Sequence, residues 1–354
     1  MKFAAILAGC LCAFVAACAP ADEAPYPTGA ERSTVTIYST TDRAVFEPVI
    51  EDFERLNPAL SLEYVELDAR PLYERFVDEA EGNETQADIL LSSAMDLQVK
   101  LVNDGFAQPH TSMDADMLPA WARWRDEIFG LTFEPVVIVV NTDVFAGRDI
   151  PQSRLELVES LRRDESFWKG RLGTYDITQS SVGYLLAAQD ARLSGEYGTL
   201  IEAMGDADAQ VYQNVSVLLD DIAAGRIALG YNVLGSYAKR RIASGARLTI
   251  IYPEDYTLAV VRAAFIAKDA PNPAGAHAFL EYLVSLRGQR ILATRSDLAA
   301  ARQEIGGPYG RLGISGATTG PLRPIPIGPG LMTWLDQQKR ARFLRNWQTA
   351  MRKN

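Results

Sequence analysis

The sequence predicts an α/β protein of two domains, and three observations carry that prediction. The chain has 354 residues, a length for about two domains at roughly 150 residues each. Short apolar runs alternate with segments of helical period, the pattern of strands joined by helices. The most apolar of those runs, Pro135-Val136-Val137-Ile138-Val139-Val140-Asn141, stands between two such series. Hydrophobic residues make up 48% and charged residues 23%, an ordinary globular composition with enough apolar material for a core that needs no disulfide or metal staple.

The elements follow from the residue pattern. Residues 35–38 form a strand run, and Ser39-Thr40-Thr41-Asp42 a polar turn. Val45, Phe46, Val49, Ile50, Phe53 and Leu56 recur at helical spacing. Asn57-Pro58 closes that helix, because a residue before proline disfavours the α region. Residues 62–66 make the next strand and 72–81 the next helix. Ala87-Asp88-Ile89-Leu90-Leu91 is the near-continuous apolar run of a strand buried on both faces, leading into Ser92-Ser93-Ala94-Met95-Asp96. A helix over 96–103 ends at Gly105, a residue suited to the left-handed position after a helix. The second series repeats the scheme: strand 171–175, polar turn 176–181, helix 182–192, helix 216–224, and strand 227–231 running into Asn232. Strands over 248–252 and 259–267 and a helix over 274–285 complete it. Residues 306–330 are dense in Gly and Pro and predict a long surface segment, before an amphipathic helix over 331–351. This alternation predicts a largely parallel sheet.

Lys2 followed by apolar or small residues over 3–17 has the length and flank of a secretory signal and is short for a membrane span. All three cysteines, Cys10, Cys12 and Cys18, lie within it or at its end. Val15-Ala16-Ala17-Cys18 resembles a bacterial lipobox, which predicts lipidation at Cys18. Leu7-Ala8-Gly9-Cys10 fits the same pattern but would leave an apolar region of only about six residues, below the usual 7–15. The alternative is a plain signal peptide cut near Ala19. The expected layout is a signal peptide over 1–17 and a lipid-anchored tether over 18–33, rich in Pro, Ala and acidic residues and without apolar period. Either way the body is exported, to the periplasm, and without cysteines its core forms no disulfides there.

Charge and motifs exclude several classes. Lys+Arg total 35 against Asp+Glu 45, a net charge of −10; residues 1–17 carry only Lys2, so their removal leaves −11. No block of five basic residues occurs, which argues against a nucleic-acid partner. His110 and His277 are the only histidines, too few for a zinc site or a His-based triad, and His277 reads as structural or surface. Neither a phosphate-binding glycine loop nor a nucleophile elbow is present. No enzyme, cofactor or metal is expected. Asp220-Asp221 and Glu51, Asp52 and Glu54 read as solvated helix faces.

Six segments, IYSTTD, FERLNPAL, ADILLSSAMD, VNDGFAQP, FEPVVIVVNTDVF and GRIALGYNVLGSYA, occur in this order. Together they resemble a type 2 periplasmic solute-binding protein of an ABC importer. The subgroup resembled holds ferric-iron binders beside binders of phosphorylated sugars and phosphoglycerate-type ligands. The resemblance covers essentially the whole chain after the N-terminal segment. It implies two α/β lobes joined by two crossing strands, with ligand in the cleft between them. Carried over, residues 136–141 are the outward crossing and 252–257 the return. Lobe one is then 34–137 plus 257–354, and lobe two 138–256. It further implies a monomer working with an ABC permease and ATPase.

In open α/β sheets ligands sit beyond the carboxyl ends of strands, which makes four turns the candidate site. The first holds Ser39, Thr40, Thr41 and Asp42, ahead of a helix N-terminus whose free N–H groups suit an anion. Thr41 or Asp42 would equally serve as an N-cap, and Asp42 suits an anionic ligand only by bonding one of its hydroxyls. The second holds Ser92, Ser93 and Asp96, with capping again the plainer role. The third brings Thr174 and Asp176 together with Ser180 and Ser181, and Gly183 would let the backbone approach an anion; turn chemistry explains the same residues. The fourth holds Tyr231, Asn232, Ser236 and Tyr237. A ferric binder of the resembled subgroup carries an adjacent tyrosine pair here, and the aligned positions are Val233 and Leu234, which offer hard Fe(III) no donor. The hydroxyl, amide and N–H donors predict a small organic anion: a phosphorylated sugar, a phosphoglycerate-like molecule or a carboxylate. The alternatives are ferric iron, or a ligand-sensing partner of a two-component histidine kinase.

Overall fold

The computed structural model describes residues 32–307 and 310–352. The expected signal peptide, Cys18 and the expected tether up to residue 31 therefore lie outside the described residues. Strand β1 (Ser33–Ser39) begins two residues before its apolar run, so Ser33, the end of the expected tether, already pairs with Leu60. β1 lies parallel to β2 (Leu60–Glu66) and β3 (Ile89–Ser92), joined through the helices Arg43–Leu56 and Ala69–Glu81. Helix Arg43–Leu56 buries Val45, Phe46, Val49 and Phe53 as its spacing predicts, and Phe53 meets Phe279 of helix Pro273–Val284 edge-on at 4.8 Å. Asp52 departs from the expected solvated face. It is buried beneath Arg287 and Tyr282, whose hydrogen bonds outweigh the effect of burial and hold its carboxyl down to about 2.

After β4 (Ala107–Gln108), β5 (Arg123–Trp124) and β6 (Ile128–Gly130), the chain enters a second sheet through β7 (Glu134–Asn141). It continues with β8 (Leu172–Tyr175), β9 (Gln210–Tyr212), β10 (Leu229–Leu234), β11 (Leu248–Ile251) and β12 (Thr257–Val260), and returns through β13 (Ala263–Ala267) before β14 (Leu322–Pro324). The first sheet has the order β2-β1-β3-β13-β6-β5, with β4 on β13; the second has the order β14-β12-β7-β10-β8-β9, with β11 on β7. Both are mixed rather than largely parallel. β13 runs antiparallel to β3, and β7 antiparallel to β10, β11 and β12, because each connecting strand crosses its sheet against the βαβ direction.

The apolar run expected as one strand over 259–267 is two strands in different sheets, broken at Val261 and Arg262. On the outward path the break lies at 131–133. Strand pairing thus puts the change of sheet at 131–133 and 261–262, rather than at 136–141 and 252–257. Residues 134–137 and 257–260, assigned from sequence to lobe one, pair in the second sheet. Apolar residues suit a sheet interior and a crossing equally well, so the run hides the switch that Thr132, Glu134 and Arg262 mark.

The C-terminal segment is more structured than its Gly/Pro content predicts. It carries a helix at Arg311–Gly316, then β14, then a 3₁₀ turn Pro329–Trp334 followed by helix Gln337–Met351, which Asp336 caps through the Lys339 N–H. The 3₁₀ turn packs on helix Met95–Asn103 beside the first sheet, and the last helix on Tyr197–Asp206 beside the second. A Cβ at Gly205 would lie 2.0 Å from the Ala350 carbonyl oxygen, so this helix contact requires glycine.

Both breaks between sheets converge on one buried ion pair. Glu134 and Arg262 are 0% and 1% exposed. Arg262 Nη2 donates to Glu134 Oε2 at 3.1 Å, and its Nε approaches Oε1 at 2.8 Å as an ion contact not aligned for a hydrogen bond. Thr132 and Ser236 donate to the same carboxylate, and Arg262 Nη1 donates to Thr41 Oγ1 at 2.7 Å. Removing one member leaves an uncompensated charge in the interior. Glu134→Ala should cost about 3–5 kcal/mol in denaturant unfolding, whereas Glu134→Leu combined with Arg262→Met should recover most of it.

The two histidines also meet. His110 Nδ1 lies 2.9 Å from His277 Nδ1, with Glu281 on the far nitrogen of His110 and Gln108 on that of His277. Burial, and then the charge of His110, lower the proton affinity of His277. The unfolded chain therefore binds this proton more readily, and stability should fall as pH drops through about 6.5. His277→Gln should flatten that fall when melting temperatures at pH 7.5 and 5.5 are compared.

Candidate functional site

Strand ends from both sheets face a cleft of about 260 Å³. The first sheet contributes Thr40 after β1, Ser93 after β3, and Asp68 and Arg70 at the start of helix Ala69–Glu81. The second contributes Tyr175, the turn Gln179-Ser180-Ser181, Gln213 and Asn214 after β9, and Leu234 and Tyr237 at the end of β10. The cleft therefore lies where strand carboxyl ends converge.

Five of the residues read from sequence line it: Thr40, Ser93, Ser180, Ser181 and Tyr237. Thr40 Oγ1 donates to Ser92 Oγ at 3.3 Å and accepts from the Ser93 N–H, tying the first two turns together. The Ser93 side chain is 5% exposed, and its hydroxyl has no hydrogen-bond partner among the described residues. Ser180 caps helix Ser181–Leu193 by accepting from the Gly183 N–H at 3.1 Å. The Ser181 and Val182 N–H groups, on the cleft, are left without an acceptor inside the helix. Tyr237 reaches Asp42 Oδ1 at 3.4 Å across the two sheets, and burial pushes its phenol up.

Eight of the other predicted residues make hydrogen bonds within the protein. Ser39 accepts from Tyr64 and from the Thr41 N–H, and Thr41 is held beneath Arg262. At the helix N-terminus behind them, Glu66 accepts the Arg43 N–H at 2.8 Å. Ser92 accepts from the Ala94 N–H, Thr174 donates to the Tyr231 carbonyl, and Asp176 closes a turn on Thr178. Ser236 serves Glu134. Tyr231 and Asn232 belong to a buried cluster in the second sheet: both donate to Asp190 Oδ2 at 2.8 Å, and Arg154 Nε donates to the Tyr231 hydroxyl at 2.7 Å. Asn232 sits at φ +59° where β10 shifts register. A Cβ at Gly183 would lie 2.4 Å from Tyr175 Cβ, so this glycine serves helix–strand packing rather than access for an anion.

Sequence reasoning missed Tyr175, Arg70, Gln179, Gln213 and Asn214 as cleft residues. Tyr175 stood inside the turn already singled out. Arg70 follows Asp68, the residue before a helix start, and that spacing was the available signal. Asp96 lies in an adjoining cavity, which shares Arg70 and Ser181 with the cleft.

Comparison with known proteins agrees with this architecture. Residues 35–295 match the family described as bacterial extracellular solute-binding protein, and the chain belongs to that family. A crystal structure of the substrate binding protein of an ABC transporter from Agrobacterium tumefaciens is 37% identical and covers 92% of this chain and 96% of its own, with a TM-score of 0.86. The periplasmic binding protein AfuA from Actinobacillus pleuropneumoniae, solved with fructose-6-phosphate, is 18% identical over 92% of this chain and all of its own, with a TM-score of 0.74. Iron uptake protein A1 of Synechocystis is 26% identical over 299 residues, 79% of each chain. The fold is that of the two-lobe type 2 periplasmic solute-binding proteins, and the chain is a solute-binding protein of an ABC transporter. Among the described residues no helix is long and apolar enough to cross a membrane.

Proposed function

We propose that the cleft captures a small organic anion, either a phosphorylated sugar or phosphoglycerate-like molecule or a carboxylate, for uptake. The observation that carries this reading is Arg70, an exposed guanidinium on the cleft that has no ion pair among the described residues. It shares the cleft with the Ser93 and Ser181 hydroxyls and with the helix N-terminus at Ser181, donors suited to phosphate or carboxylate oxygens. Closure of the two lobes about 131–133 and 261–262 would bring these donors onto one ligand.

Tyr175 and Tyr237 on the same cleft, with the iron-uptake relative, are what favour iron. Against it, Val233 and Leu234, at the positions aligned with the tyrosine pair of a ferric binder, offer Fe(III) no donor. Each charge-assisted hydrogen bond lost should cost about 1.5–3 kcal/mol, roughly ten- to a hundredfold in affinity. Arg70→Ala and Ser93→Ala should weaken phosphate-ester binding by that order in calorimetric titration with an unchanged melting temperature. Protein that develops a tyrosinate charge-transfer band with Fe(III) and binds no phosphate ester or carboxylate refutes the proposal.

We further propose that Cys18 carries a lipid anchor, on the support of the Val-Ala-Ala-Cys box and the Pro- and acid-rich stretch after it. Cys18→Ser should abolish labelled fatty-acid incorporation and release the protein from membranes. An unlabelled unsubstituted protein rejects the anchor.

A further inference from the structure

Beside the cleft lies a second cavity of about 220 Å³, and the C-terminal segment forms one of its walls through Leu335 and Arg340. Asp96 lines it from helix Met95–Asn103, and Tyr184 from helix Ser181–Leu193. Arg70 and Ser181 belong to both cavities, so the two adjoin. Asp96 is only 3% exposed, and its side chain accepts one hydrogen bond, from the N–H of its own neighbour Leu97. Burial pushes this carboxyl up to about 6, against the lowering effects of that bond and of Arg340. Arg340 lies over the Tyr184 ring at 5.0 Å and forms no ion pair among the described residues. A buried acceptor and a guanidinium donor thus share one small space without bonding each other.

That combination selects by chemistry. A second anionic group on the ligand would meet the Asp96 and Glu74 carboxyls, and a cationic group would meet Arg70, Lys100 and Arg340. A hydroxylated chain suits both, because each hydroxyl donates to a carboxylate and accepts from a guanidinium. We propose that the second cavity is a subsite for the polyhydroxylated tail of the ligand, read by Asp96 and Arg340, while the anionic head lies at Arg70. This rests on the organic-anion reading of the cleft and adds to it a requirement for hydroxyls at the far end.

The test is calorimetric titration of the purified protein with inorganic phosphate, n-hexyl phosphate and fructose 6-phosphate, repeated on Asp96→Asn and Arg340→Gln. The unsubstituted protein should prefer fructose 6-phosphate to n-hexyl phosphate by tenfold or more. Each substitution should weaken fructose 6-phosphate about tenfold and leave the other two probes unchanged, with melting temperature confirming the fold. Arg340→Gln keeps the test valid if Asp96→Asn misfolds, since Arg340 is only part-buried. Equal affinity for the hydroxylated and alkyl esters, or an equal loss for all probes, overturns the subsite while leaving the cleft reading intact. Binding of none of the three probes overturns the subsite and the phosphate-ester form of the cleft reading together.

Discussion

Glu134 and Arg262 stand where the backbone leaves one sheet for the other, and neither charge is tolerable there without its partner. Their remaining hydrogen bonds reach in opposite directions. Arg262 holds Thr41, at the end of β1, and Glu134 holds Ser236, at the end of β10. An adjacent residue in each case lines the cleft: Thr40 before Thr41, and Tyr237 after Ser236. The ring of Tyr237 in turn lies 5.8 Å from the Arg262 guanidinium. Both cleft walls are thus set against one fixed pair of charges, and any relative movement of the sheets must turn about it or stretch its bonds.

A second buried arginine organises the second sheet in the same manner. Arg154 bonds Tyr231, Asp190, Asp255 and the Tyr256 carbonyl, and Asp190 accepts besides from Tyr231, Asn232 and Tyr256. Its own burial would lower the affinity of Arg154 for its proton, but the surrounding phenols and carboxylates together hold it above the ordinary range. Such a network is stable only when every member is satisfied. Tyr231 and Asn232 are thereby held toward Asp190, although the sequence presents them as polar residues at a strand end.

Much of the fold was legible because its signals are local. The helical period around Val45 and Phe53, the buried run Ile89-Leu90-Leu91 and the turn at Gly105 need no distant partner to be recognised, and each is observed where its spacing places it. What stayed hidden depends on partners far along the chain. Ser39 and Tyr64 are 25 residues apart, Arg154 and Tyr231 77, and Arg262 and Thr41 221. A hydroxyl at a strand end looks the same in sequence whether it faces a ligand or a buried arginine. Thr40 and Thr41 show this, adjacent and chemically identical, one on the cleft and the other beneath Arg262. The mixed sheets were obscured for a related reason, since an apolar run does not record the direction of its neighbours.

The proposed capture of an anion by an acidic chain calls for local rather than global attraction. The chain carries a net charge of −10, and exposed charges more than about 8 Å away are largely screened at physiological salt. Among the cleft-lining residues the charged groups are Arg70 and Asp68, so the lining as a whole carries no formal net charge. Attraction for the proposed ligand then falls to the Arg70 guanidinium at close range and to oriented donors: hydroxyls, a phenol, and the N–H groups at the start of helix Ser181–Leu193. Such donors act only at hydrogen-bond distance and only along their own directions. A cleft of this kind has little to offer a distant or badly placed anion, so its discrimination comes from shape and from the fixed geometry of its walls. That geometry is what the Glu134–Arg262 pair maintains.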